Sequence, residues 1–376
     1  MAKKAANGAG SIRQRPDGRW EARYITGINP GTGAYIRKSV YGKTQREVRQ
    51  KLTQAAAEID SGTYLEPVKM TVGKWLDTWE REYLQDVSPS TRRTYQNQIR
   101  LHIKPAFGAV QMEALSAPMV QQLYNRLAET MAPKSIKLIH SILHKAFSKA
   151  VSLGYIRTNP TEGSSRPKVT QKHIEPLDDD AAGRFLTAIQ GHRFQTLYAV
   201  ALFTGMREGE VLGLLWDSID FSTGTIHICT QLQNGQFTPP KGGKSRRITP
   251  APHVMELLKQ HRAAQAAAQL RAGEFWESSG LVFTNERGGA LTRVTVCKEY
   301  KQIMASIGRP QARFHDLRHS YAVAAIRSGD DIKTVQENLG HASATITLDI
   351  YAHVTAQMKQ DSAARMEQYI KRVSTR

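Results

Sequence analysis

Residues 314–321 combine imidazole and guanidinium side chains at helical spacing. If this segment is helical, His315 and Arg318 lie three residues apart and share one face. A guanidinium can bind a phosphate through two parallel hydrogen bonds, and an imidazole can give or take a proton. The pair could therefore serve chemistry at a single phosphate.

Two other interpretations of this segment remain open at this point. His315 and His319 are four residues apart, as in the zinc-binding helix H-E-x-x-H, with Asp316 in the place of the glutamate. A surface helix with a few polar side chains would show the same pattern, because H-x-x-R has little specificity by itself.

Two further cations lie at predicted turns earlier in the chain. Arg207 ends residues 204–207, which break an apolar segment predicted to form two helices. Lys241 begins a glycine-rich, strongly cationic turn between extended segments. Downstream, His341 follows a Leu-Gly pair, and Tyr351 comes ten residues later.

These cations bear on the zinc interpretation. A zinc site needs neutral or anionic ligands, and an adjacent guanidinium such as that of Arg318 weakens it. Cations with histidines and no acidic pair fit stabilisation of a phosphodiester transition state without a metal.

The whole chain is strongly basic. Its 376 residues include 52 Lys and Arg against 33 Asp and Glu, for a net charge of +19. This excess favours a polyanionic partner, nucleic acid before membrane. Cys229 and Cys297 have neither disulfide nor metal-site spacing. With no signal-peptide core at the N-terminus and no long apolar run, we expect a cytoplasmic, DNA-associated protein without membrane spans.

The elements that must position these residues fall into three predicted domains. Residues 1–65 hold 12 Lys and Arg against five Asp and Glu. They show alternating strand patterns near Trp20 and Tyr35, and a helix opened by the capping box at Thr44. Residues 69–160 are predicted to be all-helical, with helix starts at Thr71, at Ser88-Pro89 and at Ser116.

A linker is predicted from residue 159 to about residue 175, and a larger mixed domain spans 175–376. There, the hairpin signal Asn234-Gly235 predicts strands at 225–231 and 236–238, and residues 281–283 predict a short strand.

In order and spacing, these motifs together resemble the tyrosine recombinase (phage integrase) family. The resemblance rests on Thr204-Gly205-Met206-Arg207-Glu208-Gly209-Glu210, Lys241, His315-Asp316-Leu317-Arg318-His319, Leu339-Gly340-His341 and Tyr351. It implies a multidomain, mainly α fold with small β-sheets. The parts would be an N-terminal three-stranded sheet plus helix that binds arm-type DNA, a helical SAM-like core-binding domain, and a mixed α+β tyrosine recombinase catalytic domain.

The resemblance also implies catalytic roles. Tyr351 is the expected nucleophile, forming a 3′-phosphotyrosyl bond. Arg207 and Arg318 are expected to bind the non-bridging oxygens. Lys241, rather than the nearby Lys244, is the expected general acid.

Three further roles follow from the same resemblance. His315 is expected to assist proton transfer from the tyrosine, and His341 to hydrogen-bond the phosphate. Glu210 matches an acidic position that orients a catalytic cation. His319 is expected to be structural. Neither metal nor other cofactor is expected.

The implied function is a site-specific integrase of a phage or conjugative transposon, acting on double-stranded DNA through a Holliday junction. A homo-tetramer is the expected assembly, with an excisionase and a host DNA-bending protein as candidate partners. The expected location is the bacterial cytoplasm, at the nucleoid. A dimer-resolving recombinase, a type IB topoisomerase and a non-catalytic DNA-binding regulator are the alternatives.

Overall fold

The computed structural model describes residues 10–29, 31–61, 69–169, 175–340 and 356–374. The chain separates into two compact units, Met1–Gln171 and Lys172–Arg376. Both units combine helices with small antiparallel sheets or bridges, so the prediction of a mainly helical fold with small sheets is confirmed. None of the described helices is long and apolar enough to cross a membrane.

The first unit begins with a three-stranded antiparallel sheet in the order β1-β2-β3. Its strands are β1 (Ser11–Gln14), β2 (Trp20–Ile28) and β3 (Tyr35–Gly42), and helix α1 (Gln45–Asp60) follows. The predicted cap is present, because the Thr44 hydroxyl accepts a hydrogen bond from the Glu47 amide. A small core, with Ala22 and Tyr24 from the sheet and Val48 from α1, seals one face of the sheet.

A helical bundle with its own core completes the first unit. Trp75 lies fully buried at its centre and donates its indole N–H to the carbonyl of Ala146 at 3.1 Å. Thr71 and Ser88 cap helices as predicted. The helices are α2 (Val72–Tyr83), α3 (Pro89–Gln98) continued by a π-helical turn (Ile99–Ile103), α4 (Lys104–Phe107), α5 (Ala117–Ala128) and α6 (Pro133–Ser152).

The predicted start of the linker at residue 159 is wrong. Asn159 and Thr161 are buried, and the Asn159 amide donates to the carbonyl of His144 in α6. The Ser165 amide donates to the side chain of Gln121 in α5. Proline and glycine in this segment suggested an open linker, but its side chains are used to close the end of the bundle.

The second unit surrounds a large apolar core that includes the buried rings of Phe185, Tyr198, Tyr300 and Phe314. Its helices are α7 (Asp179–Ala188), α8 (Gln195–Thr204), α9 (Glu208–Leu212), α10 (Pro252–Ala272), α11 (Arg293–Ser306), α12 (Phe314–Arg327), α13 (Ile332–Leu339) and α14 (Ala356–Ser374). Its strands are β4 (Ile219–Asp220), β5 (Thr225–Ile228), β6 (Gln231–Gln233), β7 (Gln236–Thr238) and β8 (Arg246–Ile248).

Two strand predictions in this unit need correction. The predicted strand 225–231 is divided, because β5 pairs with β4 and β8 whereas β6 pairs with β7 across Asn234-Gly235. Residues 281–283 are buried but form no strand. Their backbone meets the chain after α9 at one isolated bridge, Leu215 to Leu281, in which the Val282 amide donates to the carbonyl of Leu214.

Candidate active site

The turn between α8 and α9 presents Arg207 at the start of a helix. Gly205 ends α8 in the left-handed conformation (φ 61°), which a side chain would strain. A Cβ at this position would also lie 2.5 Å from Tyr321 and 2.6 Å from Leu339. Glycine therefore lets the turn approach α12 and α13, and Arg207 follows two residues later as the N-cap of α9.

A buried carboxylate joins two arginines at this turn. Glu210 has no exposed surface and accepts hydrogen bonds from the backbone N–H and Nη1 of Arg207, both at 2.8 Å. Arg246, the first residue of β8, donates from Nη1 and Nη2 to the same carboxylate at 2.9 and 2.7 Å. The carboxylate thus fixes the orientation of both guanidinium groups.

Arg318 reaches the same region from α12. Its side chain is buried, and it donates to the carbonyl of Gly205 at 2.8 Å and to that of Leu339 at 2.6 Å. We call Arg207, Arg246, Arg318 and Glu210 the arginine cluster. Its four side chains carry a net charge of two positive, which favours an anion.

The C-terminal end of α13 is bound by all three arginines of the cluster. Arg246 Nε donates to the carbonyl of Asn338 at 2.7 Å, and Arg207 Nη2 to that of Gly340 at 3.0 Å. The carbonyl of Leu339 between them is the one bound by Arg318. Cations at a helix C-terminus are favourable because of the helix dipole. The chain therefore enters residue 341 from a helix end that is held in place by the cluster.

Burial and the charges of the cluster shift the pKa values of two of its members. Burial alone would raise the pKa of Glu210, but the hydrogen bonds and charges of Arg246 and Arg207 outweigh burial and lower it to about 2. Burial, followed by the charge of Arg207, lowers the pKa of Arg318 to about 9. Glu210 is thus anionic and Arg318 cationic at neutral pH.

His315 and Arg318 both lie on α12 but differ in exposure. His315 is exposed on the first turn of the helix, whereas Arg318, three residues later, is buried. The pKa of His315 is lowered to about 4. The largest cause is loss of hydration of the imidazole, and the charges of His319 and Arg318 lower the pKa further. The imidazole is therefore neutral at pH 7 and able to accept a proton.

Asp316 and His319, the other polar residues near the start of α12, contact neighbouring side chains. Asp316 is buried and pairs with the backbone and guanidinium of Arg313, closing the N-terminus of α12. The rings of His315 and His319 pack edge to face, with their centroids 5.0 Å apart. In the part of the chain that the structure describes, no group of three or more His, Cys, Asp and Glu side chains could hold a metal ion.

Lys241 lies in an exposed turn between β7 and β8, closed by a hydrogen bond from the Gly243 amide to the carbonyl of Pro240. Lys244 is exposed in the same segment. The structure thus brings Arg207 and Arg318 together with Glu210, and places Lys241 on the segment that leads into Arg246. His341 and Tyr351 lie outside the described residues.

Arg246 is the member of the cluster that sequence reasoning missed. It was one of several cations in residues 241–249, and nothing in the local pattern separated it from Arg247. Only the fold shows that Arg246 is nearly buried against Glu210 while Arg247 is exposed.

The sequence profile described as the phage integrase family matches residues 175–358, and that of the phage integrase N-terminal SAM-like domain matches residues 71–128. A tyrosine recombinase XerC-like protein of Caldanaerobacter subterraneus is 30% identical over 88% of this chain and 91% of its own. The chain belongs to the phage integrase family. It is a tyrosine site-specific recombinase, as predicted.

Other relatives extend this similarity to the full length. An integrase of Streptomyces ambofaciens is 27% identical to this recombinase over 99% of both chains. Among solved structures, the Tn1549 transposon integrase in complex with a circular intermediate DNA superposes with a TM-score of 0.67 at 20% identity, covering 79% of this chain and 99% of that one. A lambda integrase dimer bound to a COC′ core site gives a TM-score of 0.61 at 20% identity, covering 93% of this chain and 95% of that one.

Proposed function

We propose that this recombinase is the integrase of a mobile element. It cuts and rejoins specific DNA sites through a 3′-phosphotyrosyl intermediate and a Holliday junction, and so integrates and excises the element. The observation that carries the proposal is the arginine cluster, in which Arg207 and Arg318 converge from two helices on the chain that enters His341. The cluster offers an excess of positive charge to the scissile phosphate.

The first chemical step involves Tyr351 as the nucleophile. Its phenolic oxygen forms a bond to the scissile phosphorus, and the bond from phosphorus to the 5′-oxygen breaks. The phenolic proton passes to His315, whose neutral imidazole can accept it. Lys241 supplies a proton to the departing 5′-oxygen. The phosphate ester bond is exchanged rather than hydrolysed, so the later rejoining needs no external energy source.

Positive charge stabilises the transition state of this step. Arg207 and Arg318 bind the non-bridging oxygens, and His341 donates a further hydrogen bond to the phosphate. By analogy with the loss of one oxyanion donor, removing either arginine should slow cleavage by about 10²–10³. Glu210 holds Arg207 in orientation through the two bonds described above.

The N-terminal sheet is suited to bind the arm-type DNA sites. Its register sets Arg13, Arg23 and Arg37 on the face opposite α1, because residues directly across a pair of strands share a face and alternate residues repeat on it. Glu21 lies among them, its carboxylate nearly buried, and accepts hydrogen bonds from Arg13 at 2.7 Å and from Arg23 at 3.1 Å. Three arginines on one face of a sheet, two of them held by Glu21, fit the phosphates and base edges of a groove.

The domain roles complete the DNA-binding proposal. Residues 1–65 bind the arm sites, and residues 69–160 and 175–376 together bind the core site. An excisionase and a host DNA-bending protein are the further partners. The recombinase acts on the bacterial chromosome in the cytoplasm.

The C-terminal helix supports a homo-tetramer as the active assembly. In α14, Met366, Tyr369, Ile370 and Val373 are all exposed and recur at positions i, i+3, i+4 and i+7. Such a stripe is expected to be covered, and a neighbouring protomer is the partner we propose. A lambda integrase tetramer bound to a Holliday junction is among the structurally similar proteins.

A dimer-resolving recombinase is the second candidate function. It is favoured by the similarity to the XerC-like protein. Recombination by this chain between two inverted or direct copies of a chromosomal site that lacks arm-type sequences would support this function. A requirement for arm-type sequences supports the integrase.

The direct test is a nicked suicide DNA carrying the junction sequence of the element, incubated with the full chain and a metal chelator. The proposal predicts a covalent protein–DNA adduct that is lost in Tyr351→Phe. An adduct that persists in this variant would place the nucleophile elsewhere. The absence of any adduct on the cognate site would instead favour a non-catalytic DNA-binding regulator.

A further inference from the structure

Arg246 makes more contacts within the candidate site than its position on a short strand requires. Only 9% of its side-chain surface is exposed to solvent, and all three guanidinium nitrogens donate hydrogen bonds. Two of these bonds lead to the Glu210 carboxylate and one leads to the end of α13, while the strand that Arg246 begins leads back to the segment that carries Lys241.

The first part is the carboxylate that holds Arg207. Arg246 binds both oxygens of Glu210 through a planar fork, and the backbone and side chain of Arg207 bind the same two oxygens. A lysine has no such fork and can direct its ammonium group to only one position at a time. Without Arg246, half of the bonds that fix the Glu210 carboxylate are lost.

The second part is the C-terminal end of α13. Arg246 Nε donates to the carbonyl of Asn338. A Cβ added to Gly340 would lie 3.0 Å from Arg246 Cδ, so the arginine stem also packs closely against the residue before His341. Gly340 adopts a left-handed conformation (φ 63°), and this turn is formed directly against the arginine.

The third part is the segment that carries Lys241. Arg246 begins β8, five residues after Lys241, and pairs with Ile228 of β5. The backbone pairing of β8 with β5 thus fixes the end of the exposed turn that carries Lys241, and this pairing does not involve the Arg246 side chain. Arg247, the next residue, is exposed and faces His227 across the same strand pair.

We propose that Arg246 is a positioning residue for the cleavage step, acting through Glu210 on Arg207 and through Asn338 on the helix end that precedes His341. This inference rests on the proposed function, because it assigns Arg246 to the chemistry of the same phosphate. Arg246 itself does not touch the phosphate. Its effect is to keep the phosphate-binding guanidinium of Arg207 in the required orientation.

The test compares Arg246→Met and Arg246→Lys with the matched control Arg247→Met, each in the full chain. Cleavage of the nicked suicide substrate is measured in single turnover with saturating protein, so that weaker DNA binding does not lower the rate. A displacement of about 1 Å at a catalytic group can cost about 10² in rate, and we expect losses of that order in Arg246→Met, a smaller loss in Arg246→Lys and none in Arg247→Met.

Two altered substrates identify the group that is displaced. A methylphosphonate at the scissile position carries no negative charge, so a displaced Arg207 matters less, and most of the Arg246→Met defect should disappear. A substrate with sulfur in place of the bridging 5′-oxygen has a leaving group that needs no general acid, so it should rescue Lys241→Ala but not Arg246→Met.

Hydrogen exchange supplies a readout that does not depend on catalysis. Amides of residues 335–340 should exchange faster in Arg246→Met than in Arg247→Met, while the core helices α8 and α12 remain protected in both. If Arg246→Met does not fold, the decision rests on Arg246→Lys, which keeps the charge and the stem.

Four results would overturn the inference. They are a cleavage rate in both Arg246 variants equal to wild type, an equal loss in Arg247→Met, a defect that persists on the methylphosphonate, and a rescue by the sulfur substrate. If the wild-type protein forms no adduct with any substrate, the proposed function itself fails, and the catalytic role of Arg246 fails with it. The exchange result then still reports whether Arg246 holds the end of α13.

Discussion

Replacing Glu210 by glutamine should destabilise the arginine cluster while leaving the shape of the side chain unchanged. Each carboxylate oxygen accepts one bond from Arg207 and one from Arg246. Whichever way the glutamine amide is turned, its NH2 group faces two N–H donors in place of an acceptor. The substitution therefore removes the charge and also turns two hydrogen bonds into donor–donor contacts.

The size of the effect follows from two independent considerations. Removing one partner of a buried ion pair costs about 3–5 kcal/mol, because the remaining charge stays buried without compensation. The fall of the Glu210 pKa from 4.5 to about 2 corresponds to about 3 kcal/mol of stabilisation of the folded state. We therefore expect a loss of about 3 kcal/mol in the local free energy of opening around α9 and the end of α13.

The pH dependence has a definite sign. Because the pKa of Glu210 is lower in the folded state, its contribution is fully present above the unfolded value of 4.5 and is lost as the pH falls from there toward 2. The difference between wild type and Glu210→Gln should be constant from pH 8 to pH 6 and should shrink below pH 4.5.

Native-state hydrogen exchange measures this local free energy without requiring a two-state transition of the whole chain. The matched control is Glu337→Gln on α13, where the carboxylate is exposed and pairs with Lys333. An exposed pair at this spacing contributes about 0.3–0.5 kcal/mol. A loss in Glu210→Gln no larger than that of the control, or one that does not change with pH, would refute the reasoning.

Three further predictions concern separate parts of the enzyme. Because the pKa of His315 is lowered to about 4, it should impose no pH dependence on cleavage above pH 5, while His315→Gln should slow cleavage by about 10²–10⁴ in a single-turnover assay. Arg318→Lys should lower the melting temperature of the second unit. The carbonyl of Gly205 or that of Leu339 loses its hydrogen-bond donor, at a cost of about 1–3 kcal/mol. An unchanged melting curve would contradict this prediction. Glu21→Gln should reduce the ratio of arm-site to non-specific DNA affinity in a binding titration. The control Asp17→Asn makes the same charge change at a more exposed position and should raise both affinities together. Equal behaviour of the two variants would reject an ordering role for Glu21.

Local sequence signals were sufficient for most of the elements that carry the site. The caps at Thr44, Thr71 and Ser88, and the break at Gly205, each depend on bonds or conformations within a few residues, and each lies where it was predicted. The turn at Asn234-Gly235 is likewise local.

The sequence failed where long-range contacts decide the outcome. The division of residues 225–231 into two strands depends on which distant strand each half meets, and the buried run 281–283 has one short segment to pair with. Arg246 looked like its neighbour Arg247 because only the fold brings Glu210, Asn338 and Gly340 to it. Residues Arg207 and Arg318 could be selected by resemblance, but their shared attachment to the end of α13 could not.

The central claim is that Tyr351 becomes covalently bound to a 3′-phosphate of the cleaved strand. Trapped adduct from the wild-type protein and a nicked suicide substrate can be digested with protease and nuclease and examined by mass spectrometry. The account predicts a peptide containing Tyr351 that carries a nucleotide through its 3′-phosphate, with a free 5′-hydroxyl on the released strand. A nucleotide attached to any other residue, or a 5′-phosphate linkage, would contradict the account.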